Sequence, residues 1–297
     1  MKIMVFDIGG TAIKYGVWTK NALYCIHEIP TEAHLGGEHI MERVSSLLLE
    51  EEGFDGIGIS TAGQVNADTG SVIYANRNIP GYTGTKIRSI LEERFHVPVM
   101  VENDVNSAAI GEAVYGAGKN FASFLCLTYG TGVGGAIVEQ KKIYHGSSYS
   151  AGEFGAIVTH GPEKLAGEDV FDGCYERYAS TSALVRAAMN LDPSLSDGRR
   201  IFKRLSEPAV QKLVDAWIDE IVLGLTSIIH IFNPPCVILG GGVMAQPYVL
   251  NSIREKTIRY IMPSFSHVQL HSAMLGNTAG LLGIQYLTAQ YMEKFLH

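Results

Sequence analysis

The chain has 297 residues, 46% of them hydrophobic and 18% charged, and its 23 basic and 30 acidic side chains give a formal net charge of −7. That apolar content builds a sizeable core and excludes intrinsic disorder, while the acidic balance argues against a non-specific nucleic-acid binder, which needs a basic footprint. At about 100–200 residues per domain, the length fits two domains better than one.

The first residues predict strand, glycine turn, strand: Ile3-Met4-Val5-Phe6, Gly9-Gly10, then Tyr15-Gly16-Val17-Trp18. Glu38 to Leu49 has helical spacing through Ile40, Val44, Leu47 and Leu48. Gly56 to Ser60 predicts a strand ending in the turn Thr61-Ala62-Gly63-Gln64, and Thr85 to Phe95 a second amphipathic helix. Val97 to Val101 runs as a strand into Glu102-Asn103-Asp104, and the alanines of Asn106 to Tyr115 favour a third helix. The pattern then restarts after Gly116-Ala117-Gly118, with Phe124 to Thr128, a glycine loop from Gly130 to Gly135, and Ala136-Ile137-Val138. This second strand–glycine–strand unit looks like the first one reused. A long helical stripe runs from Glu207 to Phe232 and stops at Asn233-Pro234-Pro235. Cys236 to Leu239 predicts a buried strand feeding Gly240-Gly241-Gly242, and a last helix starts at Ala279. Strands alternating with helices give an α/β protein with two lobes divided near residues 116–120.

Four scattered cysteines, Cys25, Cys126, Cys174 and Cys236, form no CxxC pair, which favours a reduced, cytoplasmic setting over a disulfide framework. The N-terminal apolar run is too short for a signal peptide, and the most apolar stretch, Ile221 to Phe232, is too short to span a membrane.

Glycine turns behind strands let backbone N–H groups approach anionic ligands. One such loop is ordinarily only a tight turn, but three, in both lobes, favour a phosphate-bearing ligand held in a cleft. No GxxxxGK[ST] occurs, which excludes a P-loop. Gly130, Gly132 and Gly135 do spell GxGxxG, but the segment that follows reads as a returning strand, so the dinucleotide fingerprint fails on context. Asp7 ends the first strand. Asp104 stands either as a helix N-cap or as a carboxylate poised to accept a hydroxyl proton during phosphoryl transfer.

Asp7-Ile8-Gly9-Gly10-Thr11, Glu102-Asn103-Asp104-Val105-Asn106, Gly130 to Gly135, Ala151-Gly152-Glu153-Phe154-Gly155 and Leu239-Gly240-Gly241-Gly242-Val243 come in an order and spacing that resembles the ROK (repressor, ORF, kinase) sugar kinases. Leu275-Gly276-Asn277-Thr278-Ala279-Gly280 resembles the family's last motif, so the likeness covers nearly the whole chain. The resemblance implies the actin-like ATPase (ribonuclease H-like) fold: an N-terminal α/β lobe over 1–117, a C-terminal α/β lobe over 118–278, and helix 279–297 packing back onto the first, around a central cleft. It implies ATP and Mg²⁺ as cofactors and a homodimer, while the acidic balance and the short apolar stretches leave neither nucleic acid nor membrane as an expected partner.

Carried onto matching positions, the resemblance makes Asp104 the general base for a sugar hydroxyl, usually the 6-OH. Asn103, Glu153, Glu176 and Gly63 would contact the sugar. Gly9, Gly10, Thr11, Thr131 and Gly132 would cradle the phosphates, Gly241 and Gly242 would border the adenosine, and Asp7 would position Mg²⁺ through water. Two departures stand out. The family's histidine after Gly-Glu-x-Gly is Ala156, and its CxCGxxGCxE zinc cluster is reduced to Gly173-Cys174-Tyr175-Glu176, so no structural zinc is expected. The variant with Ala-Gly-Glu-Phe-Gly and no histidine resembles the family's β-glucoside kinases, implying a pocket that tolerates a substituent at C1 of glucose. The rivals are a ROK-type sugar-responsive regulator and a sugar-binding module without catalysis. The first is disfavoured because the DxGGT motif begins at residue 7 with no basic recognition helix before it.

Overall fold

A computed structural model describes residues 1–76, 78–161 and 170–295. It holds two five-stranded sheets and a two-stranded hairpin. In chain order the first sheet takes β1 (Ile3–Ile8), β2 (Ala12–Thr19), β3 (Ala22–Pro30), β4 (Gly56–Thr61) and β7 (Val99–Asn103). The hairpin is β5 (Gln64–Asn66) and β6 (Ser71–Tyr74). The second sheet takes β8 (Phe124–Tyr129), β9 (Val133–Glu139), β10 (Lys142–Ile143), β11 (Cys236–Gly240) and β12 (Gln269–Ser272).

Strand order is β3-β2-β1-β4-β7 in one sheet and β10-β9-β8-β11-β12 in the other. In each, a strand starts an antiparallel meander on one side and pairs in parallel on the other: β1 with β2 and β4, β8 with β9 and β11. The repeated strand–glycine–strand pattern is thus one topology used twice. Parallel central strands are covered on both faces, which explains why β1, β4 and β8 are buried along almost their whole length with no in-and-out alternation.

By contacts the chain divides into two compact units, one of Met1–Lys119, Lys141–Ala151 and Asn277–His297, the other of Asn120–Gln140 and Gly152–Gly276. In the first, Phe6, Ile8, Ile57, Ile59 and Val101 of the sheet pack with Ile40, Val44 and Leu48 of α1 (Gly37–Leu49) and Ile87 and Leu91 of α2 (Ile87–Phe95). A further cluster joins Ile3, Val5 and Trp18 to Leu281 and Ile284 of the last helix. In the second unit, Leu125, Leu127, Val237 and Leu239 pack with Val214, Trp217, Ile218, Ile221 and Leu225 of the longest helix, Pro208–Phe232. That helix follows the sequence stripe closely. Pro208 opens it, where its missing N–H is harmless, and Asn233 ends it in a left-handed conformation. Among the described residues, no helix is long and apolar enough to cross a membrane.

Arg88 of α2 is buried and ties the β5–β6 turn to the sheet. Its guanidinium donates to the carbonyls of Val99 (2.8 Å), Asp68 (2.5 Å) and Ala67 (2.8 Å) and lies 4.8 Å from the Tyr291 ring centroid. Arg88→Met keeps most of the apolar contact but leaves three carbonyls without their donor. The expected loss is about 2 kcal/mol of unfolding free energy, measured by urea denaturation. A loss below about 0.5 kcal/mol would show that solvent satisfies these groups.

Candidate functional site

In the first unit, the parallel register places the candidate residues. Asp7 of β1 lies opposite Ser60 of β4, which lies opposite Glu102 of β7, and Asn103 is one step further, opposite Thr61. The carboxyl ends of three adjacent parallel strands therefore gather Asp7, Gly63, Asn103 and Asp104, the place where open α/β sheets bind ligands. Gly9 N–H bonds Ala12 O at 2.9 Å to close the first glycine turn, and Thr31 Oγ1 holds the Gly9 carbonyl at 2.7 Å. Gly10 and Thr11 are left exposed at its tip.

Helix α3 (Asp104–Tyr115) starts immediately after β7, and its N-cap is Asn103, not Asp104. The Asn103 carbonyl-type side-chain oxygen accepts from Val105 N at 2.9 Å and Asn106 N at 3.0 Å. Its amide nitrogen donates to Gly63 O and to Asp104 Oδ1, both at 2.9 Å. With the capping done by its neighbour, Asp104 is not spent as a cap. Val105 N also donates to Asp104 Oδ1 at 2.9 Å. Burial, and next the negative charge of Asp7, push the Asp104 carboxyl up to about 7, although these hydrogen bonds oppose the rise. Burial likewise raises Asp7, against the opposing hydrogen bond that Ser60 Oγ donates to its Oδ1 at 2.7 Å.

The second unit carries candidates of its own. Gly130 N–H bonds Gly132 O at 3.0 Å in the loop between β8 and β9, leaving Gly130 and Thr131 exposed. Gly241, behind β11, has φ of 107° and its α-carbon faces the Tyr129 backbone with no room for a Cβ, so no other residue fits there without strain. A cavity of about 1090 Å³ opens beside these loops, lined by Gly130, Thr131, Gly242, Val243 and residues of two further helices, α4 (Thr181–Leu191) and α5 (Gly198–Lys203). It is large enough for a nucleotide. None of the sugar candidates lines it. Sequence reading found the loops of this cavity but missed its helical wall, including Ser182, Arg186 and Arg199. The Ser180 side chain that caps α4, accepting from Ala183 N, is the signal that was there to read.

Glu153 is exposed just before the short turn Phe154–Ala156, and Ala156 is exposed at its end. Glu176 is half-buried against the glycine loop: its Oε2 accepts from Val133 N at 3.4 Å and lies where a Cβ on Gly132 would stand. Burial raises its pKa. The structure therefore gathers Thr131, Gly132, Glu176, Gly241 and Gly242 around one strand end.

Cys174, from the reduced zinc motif, and the nearby His160 have other engagements. The Cys174 thiol donates to Ala156 O at 3.1 Å, and His160 stacks on Tyr178 at 3.9 Å and faces Glu220 Oε2 at 3.4 Å. Among the described residues, no group of three or more His, Cys, Asp or Glu is placed to hold a metal ion.

The ROK family model matches residues 3–291. The β-glucoside kinase of Klebsiella pneumoniae is 32% identical over 96% of this chain and 95% of its own length. Two solved structures superpose with TM-scores of 0.82. One is the ROK hexokinase of Thermus thermophilus, 32% identical over 99% of this chain and 100% of that one. The other is a ROK family glucokinase of Streptomyces griseus in complex with glucose and AMPPNP, 30% identical over 98% of this chain and 100% of that one. With its sheets, its glycine loops and a family match along almost its entire length, this chain belongs to the ROK family and has the actin-like ATPase fold.

Proposed function

We propose that the chain transfers the γ-phosphoryl group of ATP to the 6-hydroxyl of a glucose-type sugar, with a β-glucoside as preferred acceptor and Asp104 as general base. At the coarser level the chain is an ATP-dependent sugar kinase. The observation that carries the finer reading is the Asp104 carboxyl itself, released from capping by Asn103, held at the end of three parallel strands, and raised to about 7. A base near neutrality takes a hydroxyl proton as the oxygen attacks phosphorus, and keeps a useful ionised fraction at working pH. Asn103 and Gly63, joined by a hydrogen bond, are sugar-contacting residues of the first unit, and Glu153 and Glu176 are sugar-contacting acceptors of the second.

Asp7 suits a cation. Its carboxylate is half-buried and burial raises its pKa, so a positive charge nearby relieves the cost. Asp7 would hold Mg²⁺ through water, and the ion would neutralise charge on the transferring phosphates. The backbone N–H groups of Gly10 and Thr11, on the turn that Gly9 closes, and those of Thr131 and Gly132 are the donors offered to phosphate oxygens, and Gly241 and Gly242 border the adenosine.

The acceptor choice rests on Ala156. A histidine there would offer a hydrogen bond at the anomeric side, whereas an exposed methyl leaves volume for a C1 substituent. The similarity to a β-glucoside kinase points the same way. Steady-state kinetics with glucose, cellobiose and gentiobiose is the test. The expected result is kcat/KM for one or both disaccharides at or above that for glucose. A glucose value 100-fold above both overturns the β-glucoside preference.

A further inference from the structure

The segment Lys141–Ala151 returns to the first unit and places His145 against β7. His145 Nε2 donates to Glu102 Oε2 at 2.7 Å. Glu102 is 1% exposed, and its other oxygen accepts from Asn103 N at 2.8 Å and Asn106 Nδ2 at 3.0 Å. All three donors converge on the residue before the helix cap, and two of them belong to the cap turn itself. Burial of the imidazole disfavours its charge, yet the Glu102 hydrogen bond and charge outweigh this and raise the His145 pKa, so the pair carries ionic character. Such a buried carboxyl holds its orientation only while its partners stay in place. The same strap is pinned twice more: Tyr149 Oη donates to the Asp68 carboxylate, and Ser150 Oγ donates to Gln64 Oε1 at 2.9 Å, beside Gly63.

We propose that His145 is a positioning residue for phosphoryl transfer, acting through Glu102 to fix the Asn103 cap and with it the carboxylate of Asp104. A continuous path of hydrogen bonds runs from His145 Nε2 to Glu102, to the Asn103 backbone, and from the Asn103 amide to Asp104 Oδ1. His145 touches no proposed substrate group. It sets the aim of the base, so its loss lowers turnover more than sugar affinity. The proposal rests on Asp104 as the base.

The test measures kcat, KM for the best of the three sugars above, and the thermal midpoint, on the full chain with ATP and Mg²⁺. The variants are His145→Gln, His145→Arg, Glu102→Gln, the Glu102→Gln/His145→Gln double variant and Asp104→Asn. The expected result is a kcat lower by about 10-fold in His145→Gln, with the sugar KM within about twofold. Arginine, which keeps charge and donors, restores kcat to within about threefold. Glu102→Gln falls similarly, and the double variant falls no further than the worse single one. A His145→Gln kcat within twofold of the parent overturns the proposal, as do multiplying losses in the double variant. A loss that follows the thermal midpoint and is not recovered by arginine also overturns it. If Asp104→Asn is inactive while His145→Gln is normal, only the positioning role fails; if Asp104→Asn turns over normally, the base reading fails and takes this one with it.

Discussion

Asp104→Asn is expected to lose roughly 10²–10⁴-fold in kcat, the contribution typical of a positioned general base. The amide keeps the size of the carboxylate and can still accept at its oxygen from Val105 N and Asn103 Nδ2, so the cap turn survives. Sugar binding, followed by calorimetry, should change by less than about fivefold, which separates a lost base from a lost pocket. Turnover within twofold of the parent would remove Asp104 from the chemistry. Stability moves in the opposite sense. The folded-state pKa lies above the unfolded value of 3.8, so whatever Asp104 contributes is fully present below pH 4 and is lost as pH rises through about 7. Relative to the parent, the asparagine variant should therefore be more stable at pH 8 than at pH 5, by thermal melts at both. The same titration governs rate: the base must be ionised, so kcat/KM should fall by about tenfold between its plateau and pH 6. A flat profile from pH 6 to pH 8 contradicts the raised value.

Much of this was legible in the sequence because it was local. Short apolar runs ending in glycine turns fixed β1, β4, β8 and β11, and the 3.6-residue stripe fixed the helix Pro208–Phe232 within one residue of its start. Asp7, Asn103 and Asp104 fall at strand ends for the same reason. What the sequence hid depends on distance along the chain. His145 and Glu102 are 43 residues apart, and nothing near either predicts the pair. The return of Lys141–Ala151 to the first unit is likewise set by remote acceptors, since Lys141 Nζ donates at 2.8 Å to the carbonyls of Ala113, Gly118 and Lys119. The N-cap is Asn103, one residue before the candidate Asp104 that the sequence offered. Asn and Asp cap equally well, and only backbone geometry, with Asn103 extended and Asp104 helical, tells which one does.

Gly283→Val tests what holds α3 in place. Gly283 lies in the last helix (Ala279–Phe295), which packs against α3 through glycines on both helices. A Cβ on Gly283 would overlap the Ser107 carbonyl, and one on Gly111 would overlap the Ala279 carbonyl. Propensity alone favours replacing a mid-helix glycine, by several tenths of a kcal/mol for valine. Sterics oppose it, and here the obstacle is backbone, which cannot rotate aside as a side chain can. Overpacking of this kind costs about 1–3 kcal/mol and sometimes more, so sterics win. The expected loss for Gly283→Val is about 3 kcal/mol in urea unfolding, against less than about 0.5 kcal/mol for Glu293→Ala on the exposed side of the same helix. The effect should reach the site as well. Gly280 abuts Asp7, whose carboxyl atoms lie 3.0 Å from where its Cβ would be, and α3 carries Asp104 on its first turn. Forcing the two helices apart moves both carboxyls relative to each other, so kcat should fall even under conditions where the variant stays folded. Full stability with full turnover would mean that the helices slide without cost, and that the glycines are not what sets the spacing of Asp7 and Asp104.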